Sequence, residues 1–162
     1  MLRKVNPGHI SALIDLVNHG PYFELLSMVI KDLGVGYCLL EVDLERKHHN
    51  PFGATHGGVY ASVVDTAAYW STYCEQDEDT GLVSLDLKMN YLAPISSGKI
   101  LVKGKKIKVG KTISLAEAAV TNLEGRILAQ GTSTLMITPG MQTINQAIGL
   151  SQGESLPPKF ID

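Results

Sequence analysis

The 162-residue chain is short of net charge, of cysteine and of long apolar runs, and each shortage narrows what it can be. Its 14 Lys and Arg nearly match its 16 Asp and Glu, leaving a formal net charge of −2. So small an imbalance gives no electrostatic reason to expect nucleic acid or a membrane surface as a partner. No stretch approaches the roughly 20 consecutive apolar residues of a membrane span. Met1 to Asn6 is short and polar, and no small-residue cleavage site follows an apolar run, so no secretory leader is expected. Cys38 and Cys74 are far apart in apolar segments. They read as reduced core residues, with neither a disulfide nor a metal pair expected. There is no internal repeat, and the length suits one domain with a real core. A cytoplasmic protein is the expectation.

What is present is a chain of clear periodic segments. Asn6-Pro7 has the form of an N-cap followed by proline in the first helical turn, with Ile10, Leu13, Ile14 and Val17 at helical spacing behind it. Gly20-Pro21 ends that helix and starts another, whose stripe of Leu25, Leu26, Val29, Ile30 and Leu33 is closed by Gly34. Tyr37 to Leu44 is strand-like, and Glu45 to Thr55 is a polar loop. A long apolar helix is expected from His56 to Tyr73, apolar on more than one face and therefore enclosed. Four strands follow, in a meander. Val83, Leu85, Leu87, Met89 and Tyr91 alternate with Ser84, Asp86, Lys88 and Asn90. The strand from Lys99 to Val109 slips phase across Gly104, which suggests a bulge. Gly110-Lys111 reads as a hairpin turn, and Thr112 to Leu123 and Arg126 to Thr138 complete the set. These periods divide the chain into an N-terminal helical extension (1–33), a main domain (34–139) and a loosely held tail (140–162) in which Ile144 to Leu150 is the one helical stretch. The class is α+β, an antiparallel sheet wrapped on one long helix. An open sheet has an edge strand to protect, which makes side-by-side dimerisation plausible.

The chemistry concentrates between His49 and Ala68, HNPFGATHGGVYASVVDTAA. A polar, glycine-containing turn runs straight into the apolar helix, which carries a single carboxylate, Asp65. An unsatisfied carboxylate on a buried face costs several kcal/mol, so Asp65 has either good partners or a chemical task.

Asn50, Gly53, His56, Gly57, Gly58 and Asp65, followed downstream by Ser84, Tyr91, Pro94, Gly98 and the Gly110-Lys111-Thr112 hairpin, resemble the pattern of hotdog-fold acyl-CoA thioesterases of the PaaI type. The resemblance covers about Gly34 to Thr138. It implies a hotdog fold and hydrolysis of an acyl-CoA to a free acid and coenzyme A, with no metal or other cofactor. It also implies a site shared between subunits, with Asn50 and Gly57 from one chain and Asp65 and Ser84 from its partner. A first-turn N–H at the positive end of a helix suits Gly57 as the donor to the developing oxyanion. Asp65 is expected to act as nucleophile or general base, with Ser84 orienting the water. Eight residues separate Gly57 from Asp65, about 12 Å along a helix, too far for one carbonyl carbon to meet both within a chain. A homodimer is the minimum that this geometry asks for, and the family often pairs dimers into homotetramers.

Around that set, His56 and Gly58 are expected at the substrate's entrance, with His56 orienting the loop. Asn50 doubles as a turn former. His48 and His49, being adjacent, are poorly spaced for a metal and read as solvated loop residues. Lys106, Lys108 and Lys111 are candidates for the phosphates of coenzyme A, against the alternative that the lysine run protects an edge strand. Tyr60, Tyr69, Trp70 and Tyr73 read mainly as core. The competing function is a non-catalytic acyl-CoA binder or sensor, against which the presence of both Asp65 and Ser84 argues.

Overall fold

The computed structural model describes residues 3–161; Met1 and Leu2 of the expected extension and Asp162 of the expected tail lie outside them. A two-residue strand, β1 (Lys4–Val5), leads into α1 (Pro7–Asn18), capped by Asn6, whose side chain accepts the Gly8 N–H at 2.9 Å. Then comes α2 (Pro21–Leu26), which is shorter than its periodicity suggests. Ser27 takes a left-handed turn (φ 53°), and Met28–Gly34 is β2, the first strand of the main sheet. The expected helix through Leu33 is therefore corrected. A register shift between Ile30 and Asp32 moves the buried set from Met28 and Ile30 to Leu33, and a bulged strand then spaces its apolar residues as a helix would.

The remaining elements are β3 (Tyr37–Asp43), α3 (Gly57–Ser71), β4 (Thr80–Tyr91), β5 (Lys99–Val109), β6 (Ile113–Thr121), β7 (Ile127–Pro139), α4 (Ile144–Ser151) and β8 (Phe160–Ile161). The six-stranded antiparallel sheet has the order β2-β3-β5-β6-β7-β4. Only β5, β6 and β7 form a meander. β4 lies beyond β7 and leaves one side unpaired, so the expected four-strand meander is corrected to three strands plus an edge. This is the hotdog arrangement, with α3 laid across one face of the sheet. Val59, Val63, Val64 and Ala67 of α3 share a core with Leu40, Val42, Ile100, Val102, Ala118 and Val120 of the sheet. Burying each of the larger aliphatic side chains contributes about 1.5–3 kcal/mol.

The helix is pressed so close to the sheet that a Cβ on Gly104 would sit 2.0 Å from the Ala67 carbonyl oxygen. That approach, and not a bulge, is the reason for glycine at 104; the bulge in β5 falls between Lys106 and Lys108. Nor is α3 fully enclosed. Ala61, Ser62, Asp65, Thr66 and Tyr69 form a half-buried stripe beside α2 and β4, so Asp65 borders an open cavity rather than the core.

The C-terminal segment is not loosely held. β8 pairs with β1, and the Lys159 ammonium, fully buried, donates to the carbonyls of Tyr73 and Gln76 at 2.8 and 2.7 Å and lies over the Tyr73 ring. His9 of α1 clamps the same region, bonded to the Pro157 carbonyl and the Tyr73 hydroxyl, each at 2.7 Å. Cys38 and Cys74 are buried, as expected of core residues. Among the described residues no helix is long and apolar enough to cross a membrane.

Candidate active site

The loop entering α3 is built by side chains that complete backbone groups. Asn50 Oδ1 accepts from the N–H groups of Phe52 (2.9 Å) and Ala54 (3.2 Å), which closes the turn and consumes the oxygen. The side-chain Nδ2 of Asn50 is left with no partner among the described residues. His56 is the N-cap of α3, its Nδ1 accepting the Gly58 N–H at 2.8 Å, while Val59 N–H goes to the His56 carbonyl. Of these first-turn donors, only the Gly57 N–H has no partner among the described residues. An open N–H at the positive end of a helix dipole is suited to a developing negative charge. Tyr91 stands over it, and a Cβ on Gly57 would lie 3.2 Å from that ring.

Asn50 and Gly57 line one cavity, of about 400 Å³, together with Thr55, Tyr60, Tyr91 and Pro94. Asp65 and Ser84 line a second, of about 430 Å³, with Tyr22, Ser62, Thr66 and Asp86. There Ser84 Oγ donates to Asp65 Oδ1 at 2.8 Å. This contact depends on a bulge. With unbroken alternation Ser84 would share a face with Asp86 and Lys88, away from α3. The register shift between Ser84 and Asp86 instead turns Leu82 and Ser84 toward the helix and leaves Leu85 exposed. Gly57 in one cavity and Asp65 in the other are eight residues apart, about 12 Å along α3. Both cavities lie beside the unpaired edge strand β4, which supplies Ser84 to one and Tyr91 to the other.

Several expected residues fall elsewhere. His56 and Gly58 bond to each other in the cap and line neither cavity. Lys106 is ion-paired with Glu75, and neither it, Lys108 nor Lys111 lines either cavity. His48 is not solvated: it is fully buried, with Nδ1 accepting the Glu45 N–H and Nε2 donating to the Leu26 carbonyl, both at 2.8 Å. His49 Nε2 donates to the Ser96 carbonyl at 2.6 Å. Both histidines hold the loop in place. The wall of the Asp65 cavity adds two residues outside the expected set, Tyr22 and Ser62. Ser62 lies one turn before Asp65 on the same helix face, which was a readable signal; nothing in the sequence marks Tyr22.

Residues 52–129 match the model of the thioesterase superfamily. Acyl-coenzyme A thioesterase 13 of Homo sapiens is 32% identical over 101 residues, which cover 61% of this chain and 71% of that protein. The chain belongs to the thioesterase superfamily. By family it is a thioester hydrolase. A proofreading thioesterase of Klebsiella pneumoniae is 26% identical over 101 residues, covering 62% of this chain and 74% of its own. Among solved structures, a thioesterase from Haemophilus influenzae superposes with a TM-score of 0.78 at 22% identity, covering 87% of this chain and 97% of its own. That likeness bears on the fold alone. The family match takes in Gly57, Asp65 and Ser84 but leaves Asn50 and the whole of α2 outside it.

Proposed function

We propose that this thioester hydrolase is an acyl-CoA thioesterase whose site is completed by a second copy of the chain. One observation carries the reading. Two hydrogen-bond donors without partners among the described residues, Gly57 N–H and Asn50 Nδ2, share one cavity, while the carboxylate oriented by Ser84 lines another, on a residue about 12 Å from Gly57 along the helix. Neither half suffices for the reaction. Two copies paired antiparallel through their β4 edges bring the donor half of one opposite the carboxylate half of the other. The names of the superfamily relatives, acyl-coenzyme A thioesterase among them, support coenzyme A as the leaving group.

In the composite site the thioester oxygen lies against Gly57 N–H and Asn50 Nδ2. Asp65 of the other chain takes a proton from water as its oxygen adds to the carbonyl carbon, and the electron pair of the C=O bond moves to the oxygen held by those donors. When the C=O bond re-forms, the C–S bond breaks and the coenzyme A thiolate leaves, taking up the proton. Direct attack by Asp65, giving an anhydride that water then opens, uses the same donors. Ser84 fixes one carboxylate oxygen and leaves the other free for either route. Free-thiol release from a panel of acyl-CoAs, wild type against Asp65→Ala, tests the reading. Turnover that collapses at least 100-fold in the variant is expected. Saturable binding with no thiol release from any member would turn the reading to a sensor.

A further inference from the structure

The wall of the Asp65 cavity has a donor and acceptor balance that bears on the acyl group. Tyr22 Oη and Ser62 Oγ are 2.7 Å apart, and Ser62 Oγ is also 2.8 Å from the Gly58 carbonyl oxygen. A carbonyl can only accept, so the single Ser62 proton goes to Gly58. The proton between Tyr22 and Ser62 therefore comes from Tyr22. That leaves the Tyr22 oxygen with lone pairs and no proton to offer, on the wall of a cavity it shares with Asp65. The other polar groups there lean the same way. Ser84 spends its proton on Asp65, and Asp86 accepts the Thr134 N–H at 3.0 Å. Only the Thr66 hydroxyl on this wall keeps a side-chain proton to offer among the described residues, so a ligand in the cavity meets acceptors in excess and a hydroxyl on it is best placed to donate.

We propose that Tyr22, brought by α2 to the rim of the Asp65 cavity, is a specificity residue that accepts a hydrogen bond from a hydroxyl on the acyl group, so that hydroxylated acyl-CoAs are preferred over their unhydroxylated counterparts. Ser62 is its positioning residue. It lies one turn before Asp65, and by accepting the Tyr22 O–H hydrogen bond it fixes which way the Tyr22 lone pairs face. The inference rests on the acyl-CoA reading above. It adds to it an element from outside the segment that matches the superfamily.

The test uses full-length protein and matched acyl-CoA pairs differing by one hydroxyl, in both aliphatic and aryl series, with kcat/KM measured for wild type, Tyr22→Phe and Ser62→Ala. Wild type should favour the hydroxylated member of at least one pair by about three- to tenfold, the value of one neutral hydrogen bond. In Tyr22→Phe, which keeps the ring, that ratio should fall to near one, through KM rather than kcat. Ser62→Ala should lower the same ratio. A wild-type ratio of one in every pair overturns the proposal. So does a Tyr22→Phe variant that loses activity equally on both members, which marks a merely structural role. If wild type hydrolyses none of them, the acyl-CoA hydrolysis reading fails instead. The same ratios are then read as Kd by calorimetry, with the same two outcomes for Tyr22.

Discussion

Replacing Gly57 with proline separates catalysis from folding at this site. Gly57 is the first residue of α3, where a proline is accommodated because no helical carbonyl waits for its N–H. The residue before a proline must be extended, and His56 already is, at φ −63° and ψ 138°. The new Cβ meets the Tyr91 ring at 3.2 Å, and that half-exposed side chain can yield by a few tenths of an ångström. Stability should therefore change by less than about 1 kcal/mol. What disappears is the open N–H. Losing one oxyanion donor costs about 100- to 1,000-fold in kcat, roughly 3–4 kcal/mol of transition-state stabilisation. Gly57→Ala adds the same Cβ and keeps the N–H, so it should retain most of the activity. The assay is thiol release at saturating acyl-CoA alongside urea unfolding of all three proteins. A Gly57→Pro enzyme that folds normally and keeps kcat within a few-fold of wild type would refute the assignment of this N–H to the oxyanion.

Two further substitutions test the frame that holds the site. In Gly104→Ala the methyl would meet the Ala67 carbonyl, a backbone atom of the helix that cannot swing aside, so unfolding in urea should show a loss of about 2–3 kcal/mol; a change under 0.5 kcal/mol would contradict the close helix–sheet approach. Burial lowers the Lys159 amine from its ordinary 10.5 to about 8. Between those values the unfolded chain holds a proton that the folded chain does not, so the contribution of Lys159 to stability rises with pH there and is flat below about 8. Measured against Lys159→Met, wild type should gain stability between pH 8 and 10.5, by about 3 kcal/mol from this amine alone. A flat or falling difference would show that the two carbonyls and the Tyr73 ring offset the burial and that the amine's pKa is not lowered.

How much the sequence disclosed depended on whether a feature was local. The Asn6-Pro7 cap and the start of α3 at His56-Gly57 depend on neighbours within one turn, and both were legible. The family-like spacing also singles out Asn50 and Gly57, which share one cavity, and Asp65 and Ser84, which share a hydrogen bond in the other. The failures share a cause. Bulges in β2, β4 and β5 each insert a residue that changes which side chains face the helix, and a bulge is fixed by pairing with a distant strand. In β2 it disguised a strand as a helix. In β5 the phase slip points to Gly104, but that glycine is a point of contact with Ala67 and the bulge lies between Lys106 and Lys108. In β4 the regular alternation would have turned Ser84 away from Asp65. The polar composition of the C-terminal tail suggests a loose segment, yet one buried lysine, one histidine and a two-strand pairing across the length of the chain fasten it.

The central claim, that donors and carboxylate come from different chains, is met most directly by subunit mixing. Asp65→Asn and Gly57→Pro proteins, each inactive alone, are combined, and exchange is verified by native mass spectrometry. At equal amounts, recovery of about a quarter of wild-type thiol release is expected, since about half the dimers are mixed and each has one intact site of two. Verified exchange without recovery would mean that the site lies within a single chain and that the account is wrong.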